Sequence, residues 1–367
     1  MFTVIIIILL FASLVLLHEL GHFIMARRNG VEAEEFGVGF PPKLYGKQIG
    51  KTFYSINLLP LGGFVRMKGE DAADTEPGSF GAASFGSQTK ILFAGVVMNL
   101  LTAVVLLYVL ALTGLPGLGP QFEPTFLHST YAQPKQLLLV EVVPGSPAAQ
   151  AGLKRGDYVL TANGTMLTTD VQLSDFTRNH AGETVSLGVK TASGTHVAQI
   201  KLLPPTAKDG YLGVSSQQIY KLRYDPLRAV VAAGYITFVL LWETLLGVFS
   251  LFWHFPSLIA GLFGHGVPAA AEATSGPIGI VFILKSISTL GWSYVVLFMA
   301  NISVALAAFN ILPLPALDGG RWFVLAVQKV TGRKWSADAE ARYHAVGFLC
   351  LIGLMVLISV YDVRKFF

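Results

Sequence analysis

Residues 18–22 read His18-Glu19-Leu20-Gly21-His22. On a helix, positions four apart share a face, so both imidazoles can reach one ion. Glu19 then lies beside them to take a proton from a water that the ion activates. Zinc lowers the pKa of such a water towards about 7, which makes a nucleophile at neutral pH. With 8 His and 12 Glu in 367 residues, random placement yields this pattern about 0.006 times, so coincidence is a small risk. The bland explanation is a helix end whose polar groups reach for an interface. It accounts for Arg27 and Arg28, but residues 2–17 carry no charge, so His18 and Glu19 sit a turn or more deeper. Ionisable groups at that depth are costly and mark function.

A catalytic zinc needs a third protein ligand and an open position. The other histidines are His128, His180, His196, His254, His265 and His344. Among the acids, Asp318 stands out, after Asn310-Ile311-Leu312-Pro313-Leu314-Pro315-Ala316-Leu317 and before Gly319-Gly320. Two prolines break a helix there, and irregular backbone at membrane depth is tolerated only where it lines protein or a wet cavity. The plainer role for Asp318 is the N-cap of the next helix.

The elements that must position these residues are membrane helices. The chain is 53% hydrophobic, with 13% charged residues and a mean hydropathy of +0.59, against roughly 25% charged in an ordinary soluble domain. So few charges exclude disorder, a coiled coil and nucleic-acid binding. Cys350, the single cysteine, excludes an intramolecular disulfide and a Cys-based zinc ribbon. The apolar trend from Phe2 to Arg28 is long enough to cross a roughly 30 Å hydrocarbon layer. A cleaved signal peptide fits it poorly, because no basic n-region or small-x-small site is present. Further spans fit residues 91–113, about 292–312 and about 345–361.

Basic residues cluster between spans one and two (Arg27, Arg28, Lys43, Lys47, Lys51, Arg66, Lys68, Lys90). They cluster again between spans three and four (Arg321, Lys329, Arg333, Lys334, Arg342). The positive-inside rule places both loops in the cytoplasm, and the N-terminus and the 114–290 region outside. Residues 229–253 hold one charge, Glu243. A crossing there alone would put residues 310–320 on the opposite side from residues 18–22. The stretch 229–264 is therefore expected to be an interfacial or partly embedded helical segment, or half of a hairpin.

Two stretches have a strand-like texture. Within 114–228, the runs Leu137–Val143, Tyr158–Ala162, Val185–Val189 and Val197–Leu202 alternate with turn signals such as Pro144-Gly145 and Asn163-Gly164, which predicts a soluble domain of about 90 residues. Residues 36–68 suggest short strands with Gly/Pro turns, apolar for a cytoplasmic loop. The plainer reading of that loop is packing against helix ends.

H-E-L-G-H in the first span, together with N-I-L-P-L-P-A-L-D-G-G before the last, resembles the site-2 proteases, which are intramembrane zinc metalloproteases. The chain is similar to the bacterial regulators of sigma-E protease within that family, and the likeness covers nearly the whole chain. Position by position it implies that His18, His22 and Asp318 bind Zn2+, that Glu19 is the general base, and that Asn310 holds substrate. The run Val143-Pro144-Gly145-Ser146-Pro147-Ala148-Ala149-Gln150-Ala151-Gly152-Leu153-Lys154-Arg155-Gly156-Asp157 resembles a PDZ domain of the bacterial protease type. Such a domain offers a groove beside an exposed strand; the plainer role is a steric plug. Many look-alikes carry two such domains in tandem, and this chain has room for one. The family has a membrane-re-entrant β-hairpin where residues 36–68 lie, and a helical substrate must be unwound before water can attack its amides.

The implied fold is an α-helical integral membrane protein of about four transmembrane helices, with a re-entrant β-hairpin and an inserted α+β PDZ domain. Its expected parts are a protease core at 1–115 with the hairpin at about 36–68, and an extracytoplasmic PDZ domain at 116–228 with its core at about 137–205. An interfacial helical segment at 229–290 and the rest of the core at 291–367 follow. The expected activity is endopeptidase cleavage of transmembrane segments in regulated intramembrane proteolysis, in the bacterial cytoplasmic membrane. The partners implied are the lipid bilayer and membrane-protein substrates trimmed beforehand by another protease, such as anti-sigma factors or remnant signal peptides, with no nucleic acid. A catalytically silent adaptor that recruits partners through its PDZ domain is the alternative, against which Glu19 stands. A metal transporter would space its ligands across the membrane depth. Asn99, a polar residue inside the second span, is expected to bond to a neighbouring helix more than to contact the site.

Overall fold

A computed structural model describes residues 2–70, 76–124, 126–132, 135–191, 193–206, 210–262, 275–288, 290–333 and 335–366. His265, weighed above as a histidine of the chain, lies outside them. Along the chain run α1 (Phe2–Arg28), β1 (Ala33–Ile49), β2 (Thr52–Met67), α2 (Phe85–Thr113), β3 (Leu115–Pro116) and β4 (Tyr131–Ala132). Next come β5 (Gln136–Val142), α3 (Pro147–Gln150), β6 (Tyr158–Ala162), β7 (Thr165–Met166), α4 (Asp170–Asn179), β8 (Thr184–Thr191) and β9 (Gly194–Lys201). Then follow β10 (Val214–Ile219), β11 (Lys221–Arg223), α5 (Pro226–Trp253), α6 (Phe255–Leu262), α7 (Pro277–Ser288), α8 (Trp292–Ile311), α9 (Asp318–Thr331) and α10 (Ala337–Phe366). These form two compact units. One comprises Met1–Val109, Ala233–Ser288 and Tyr294–Phe367, and the other Leu110–Ala232 with Thr289–Ser293.

Among the described residues, five helices are long and apolar enough to cross a membrane: α1, α2, α5, α8 and α10. The sequence reading expected about four. The addition is α5, which runs unbroken to Trp253, with Glu243 its one charged residue after Arg228. A turn at His254 separates it from α6, so 226–262 is helical in two pieces. Leu251 and Leu258 pack against Leu357 and Tyr361 of α10, and Tyr361 Oη donates to Leu258 O at 2.6 Å.

α1 and α2 pack antiparallel with backbones in near contact. A Cβ on Gly21 would strike the Ala94 carbonyl, and one on Gly95 would overlap both imidazoles of α1. Small residues permit this approach between helices in an apolar solvent. Ser303 Oγ of α8 donates to Asn99 O of α2 at 2.8 Å.

The stretch read as short strands forms two long ones. Gly39, Pro41 and Pro42 shift the pairing register of β1 without ending it. Residues 33–38 pair on one side with 63–67 and on the other with 53–56, and 43–49 pair outside 52–57. The ribbon thus has four segments, with 63–67 on its edge. That edge lies on α1, where Gly62 and Gly63 abut Val15 and Leu16.

In the second unit the antiparallel sheet has the order β10-β5-β6-β8-β9, with β7 on β6. Four of its strands coincide with the apolar runs expected. β10 does not, because Val214-Ser215-Ser216-Gln217-Gln218-Ile219 is mostly polar, so the sheet passes beyond the expected end of the core at about 205. Leu137, Leu139, Val159, Val185, Leu187 and Val189 form the buried core. α4 begins with a capping box between Thr169 and Gln172. It borders a groove of about 300 Å³ alongside the edge strand β10.

Candidate metal centre

α1 presents His18 and His22 on one face, as their spacing requires. Both are buried, at 8% and 4% exposure. Asp318 arrives from the far end of the chain as the first residue of α9. The N-cap is Leu317, which makes no side-chain capping bond, so Asp318 does not take the plainer capping role. The loop ahead of it is tightly held. Ala316 adopts a φ of +70°, and its N–H donates to His344 Nδ1 at 2.9 Å. A Cβ on Gly319 would strike the carbonyls of Ile311 and Leu312, one on Gly320 that of Leu314, and one on Gly347 the ring of Pro315. Three glycines and one histidine therefore fix where the carboxylate points.

His18 Nε2 and His22 Nε2 lie 3.1 and 3.2 Å from Asp318 Oδ2, and 3.1 Å from each other. A tetrahedral zinc with bonds of roughly 2.0–2.1 Å has edges of about 3.3 Å, so the three atoms fit three corners of its shell. Lone pairs gathered this closely are mutually compatible around a cation. The opposite nitrogen of His22, Nδ1, donates to Ile91 O at 2.8 Å, as ligating histidines commonly do. The residues fit zinc. They also meet at one point instead of being spaced along a pathway, which a transporter would need.

Beside the triad lies a cleft of about 240 Å³, lined by Val15, His18, Glu19, Asn99, Leu306, Asn310 and Ala316 to Asp318. Glu19 Oε2 accepts from Val65 N–H on the ribbon edge at 3.2 Å. Asn310 stands on the cleft wall, its Nδ2 donating to Leu306 O at 3.0 Å. All five expected site residues are thus brought to one place.

Three further participants escaped the sequence reading or were weighed the other way. Asn99 was expected to serve helix packing more than the site, yet its side-chain amide lies 3.1 Å from His18 Nδ1, and the bond from α8 reaches only its backbone carbonyl. Gly95 makes room for the imidazoles, and its signal was its position midway between Ile91 and Asn99. His344 serves the Asp318 loop, and nothing in its local sequence announces that role.

A family model described as Peptidase family M50 matches residues 6–354. A protein of Clostridium acetobutylicum with the provisional name of a zinc metalloprotease is 31% identical, over 99% of this chain and 97% of its own. Zinc metalloprotease RasP of Geobacillus kaustophilus is 27% identical over 98% and 97%. Regulator of sigma-W protease RasP of Bacillus subtilis is 25% identical over 100% and 99%. The solved PDZ domain of an SdrC-like protein from Listeria monocytogenes is 24% identical over 22% of this chain and 85% of its own, with a TM-score of 0.20. The chain belongs to peptidase family M50 and is a zinc metalloprotease of the site-2 type.

Proposed function

We propose that this protein hydrolyses peptide bonds within transmembrane segments of other membrane proteins, using His18, His22 and Asp318 as zinc ligands and Glu19 as general base. The observation that carries this is the convergence of His18, Glu19 and His22, on a helix apolar enough to lie in a bilayer, with the Asp318 carboxylate at the start of α9. Zinc bound there supplies a Lewis acid that polarises the scissile carbonyl and makes water acidic. Glu19, steadied by Val65 N–H, takes the proton of the attacking water as the new C–O bond forms. It returns that proton to the amine as the C–N bond breaks. Asn310 faces the same cleft and holds the substrate backbone. The ribbon edge at 63–67 lies beside Glu19, where an unwound peptide can add as a further strand.

The substrates on this reading are single-pass proteins already trimmed outside, such as anti-sigma factors, or remnant signal peptides. The ribbon dips into the membrane from the cytoplasmic side, and the sheet domain stands outside as a size filter. A second reading of that domain has an observation in its favour. The groove between α4 and the edge strand β10, with Arg178 in its wall, suits capture of an extended peptide.

Co-expression with a tagged single-pass substrate tests the activity. His18→Ala, His22→Ala and Asp318→Ala should each abolish both cleavage and zinc content; cleavage by any of them at the parent rate overturns the ligand assignment. In a Cys350→Ala background, a cysteine at Glu76 should resist impermeant thiol reagents in intact cells and one at Ser193 should react. The reverse pattern overturns the orientation. Deleting 136–219 should admit untrimmed substrate if the domain filters by size, and should slow cleavage of trimmed substrate if it captures peptide.

A further inference from the structure

Asn99 sits in the middle of α2 with 0% exposure. Its amide nitrogen lies 3.1 Å from His18 Nδ1, while its Oδ1 has no hydrogen-bond partner among the described residues. His18 turns its other nitrogen, Nε2, to Asp318 and His22. An imidazole that offers the Nε2 lone pair to a cation keeps its proton on Nδ1. That N–H needs an acceptor, so the amide group facing it must be the oxygen. A half-turn of an amide exchanges its oxygen and nitrogen, and the surrounding network decides between the two. One amide atom lacks a partner in either orientation. Only the turned one is compatible with a metal on Nε2, because it replaces donor facing donor with a hydrogen bond.

The geometry points to Asn99 as a positioning residue of the metal centre, its Oδ1 accepting from His18 Nδ1–H and so fixing the tautomer and ring orientation that present Nε2 to zinc. This inference rests on His18 being a ligand. His22 is served in the same manner by Ile91 O. Ile91, Gly95 and Asn99 recur every four residues on one face of α2, so that face supplies both acceptors and, at Gly95, the room for both rings. Ser303 Oγ, itself buried, holds the Asn99 backbone at 2.8 Å. α2 contributes no ligand, yet it orients two.

The test is zinc affinity of the purified full-length protein in detergent, measured by competition with a chromophoric chelator, alongside the visible spectrum after cobalt substitution. Asn99→Leu, which removes the acceptor at similar volume, should weaken zinc binding about 10- to 100-fold and alter the cobalt spectrum. Asn99→Asp keeps an oxygen acceptor and should bind zinc within about threefold of the parent, since a carboxylate serves ligating histidines equally well. Parent-like affinity in Asn99→Leu overturns the proposal, as does equal loss in both variants. Should Asn99→Leu fail to fold, Asn99→Asp decides alone, and a tenfold loss there overturns it. His18→Ala is the control for the underlying reading. If it keeps zinc, the ligand assignment fails; if it loses zinc while Asn99→Leu keeps it, the role of Asn99 alone is wrong.

Discussion

In the unit built on the sheet, the residues withdrawn from the surface include Leu137, Leu139, Val159 and Leu187. In the helical unit the fully buried positions include, beside Ile91 and Leu107, the small Ala103, Ala300, Ala307 and Ala308 and the polar Asn99 and Ser303. The large side chains of α2 at Val97, Leu101 and Val105 are exposed. The first pattern is what water selects, since removing apolar area from it stabilises by roughly 25 cal/mol per Å². The second is what lipid selects. Apolar side chains gain nothing by leaving hydrocarbon, so close backbone approach and interhelical hydrogen bonds hold the helices instead. The metal centre depends on that second logic, because Gly21, Gly95 and Gly319 are what let its ligands meet.

The comparison is tested most severely at Gly95. Gly95→Leu places a side chain where both imidazoles lie, so zinc content and cleavage should fall to background while the sheet domain keeps its protease resistance. Zinc content equal to the parent would show that the helix contact is not as close as described. Leu139→Ala leaves a cavity in the sheet core and should destabilise that unit by about 2–5 kcal/mol, read as an earlier urea transition, with zinc content unchanged. Loss of zinc in this variant would mean that the two units do not act independently. Ser303→Ala removes one interhelical hydrogen bond and should cost about 0.6–2 kcal/mol against denaturing detergent. Leu101→Ala, on the outward face of α2, should change that stability by less than about 0.5 kcal/mol. A larger loss would place Leu101 in a protein contact and break the contrast.

The parts of the site that were legible in the sequence are those whose chemistry is written in spacing. His18, Glu19 and His22 share one helical turn, and Asp318 is marked by two prolines and two glycines around it. Asn99 was harder, because a lone polar residue in an apolar helix looks the same whether it faces a neighbouring backbone or a metal ligand. Gly95 and His344 act through packing between segments distant in sequence, which no local pattern encodes. For the fold, the strands β5, β6, β8 and β9 announced themselves by their apolar runs, whereas β10 is mostly polar and left no such signal. The ribbon looked like short strands because Gly39, Pro41 and Pro42 usually end them. α5 is visible in the sequence as an apolar run, but the shared sidedness of residues 18–22 and 310–320 favours an interfacial segment there, and its length as a helix appears only in three dimensions.

The central claim is that Glu19 performs proton transfer while His18, His22 and Asp318 hold the zinc. It is tested most directly by purifying Glu19→Gln beside the parent and measuring zinc content and cleavage of one transmembrane substrate in the same preparations. The amide keeps the size of the side chain and removes only the base, so the predicted result is parent-like zinc content with cleavage lost. Cleavage at near the parent rate would contradict the mechanism, and loss of zinc together with activity would make Glu19 part of the metal shell instead of its base.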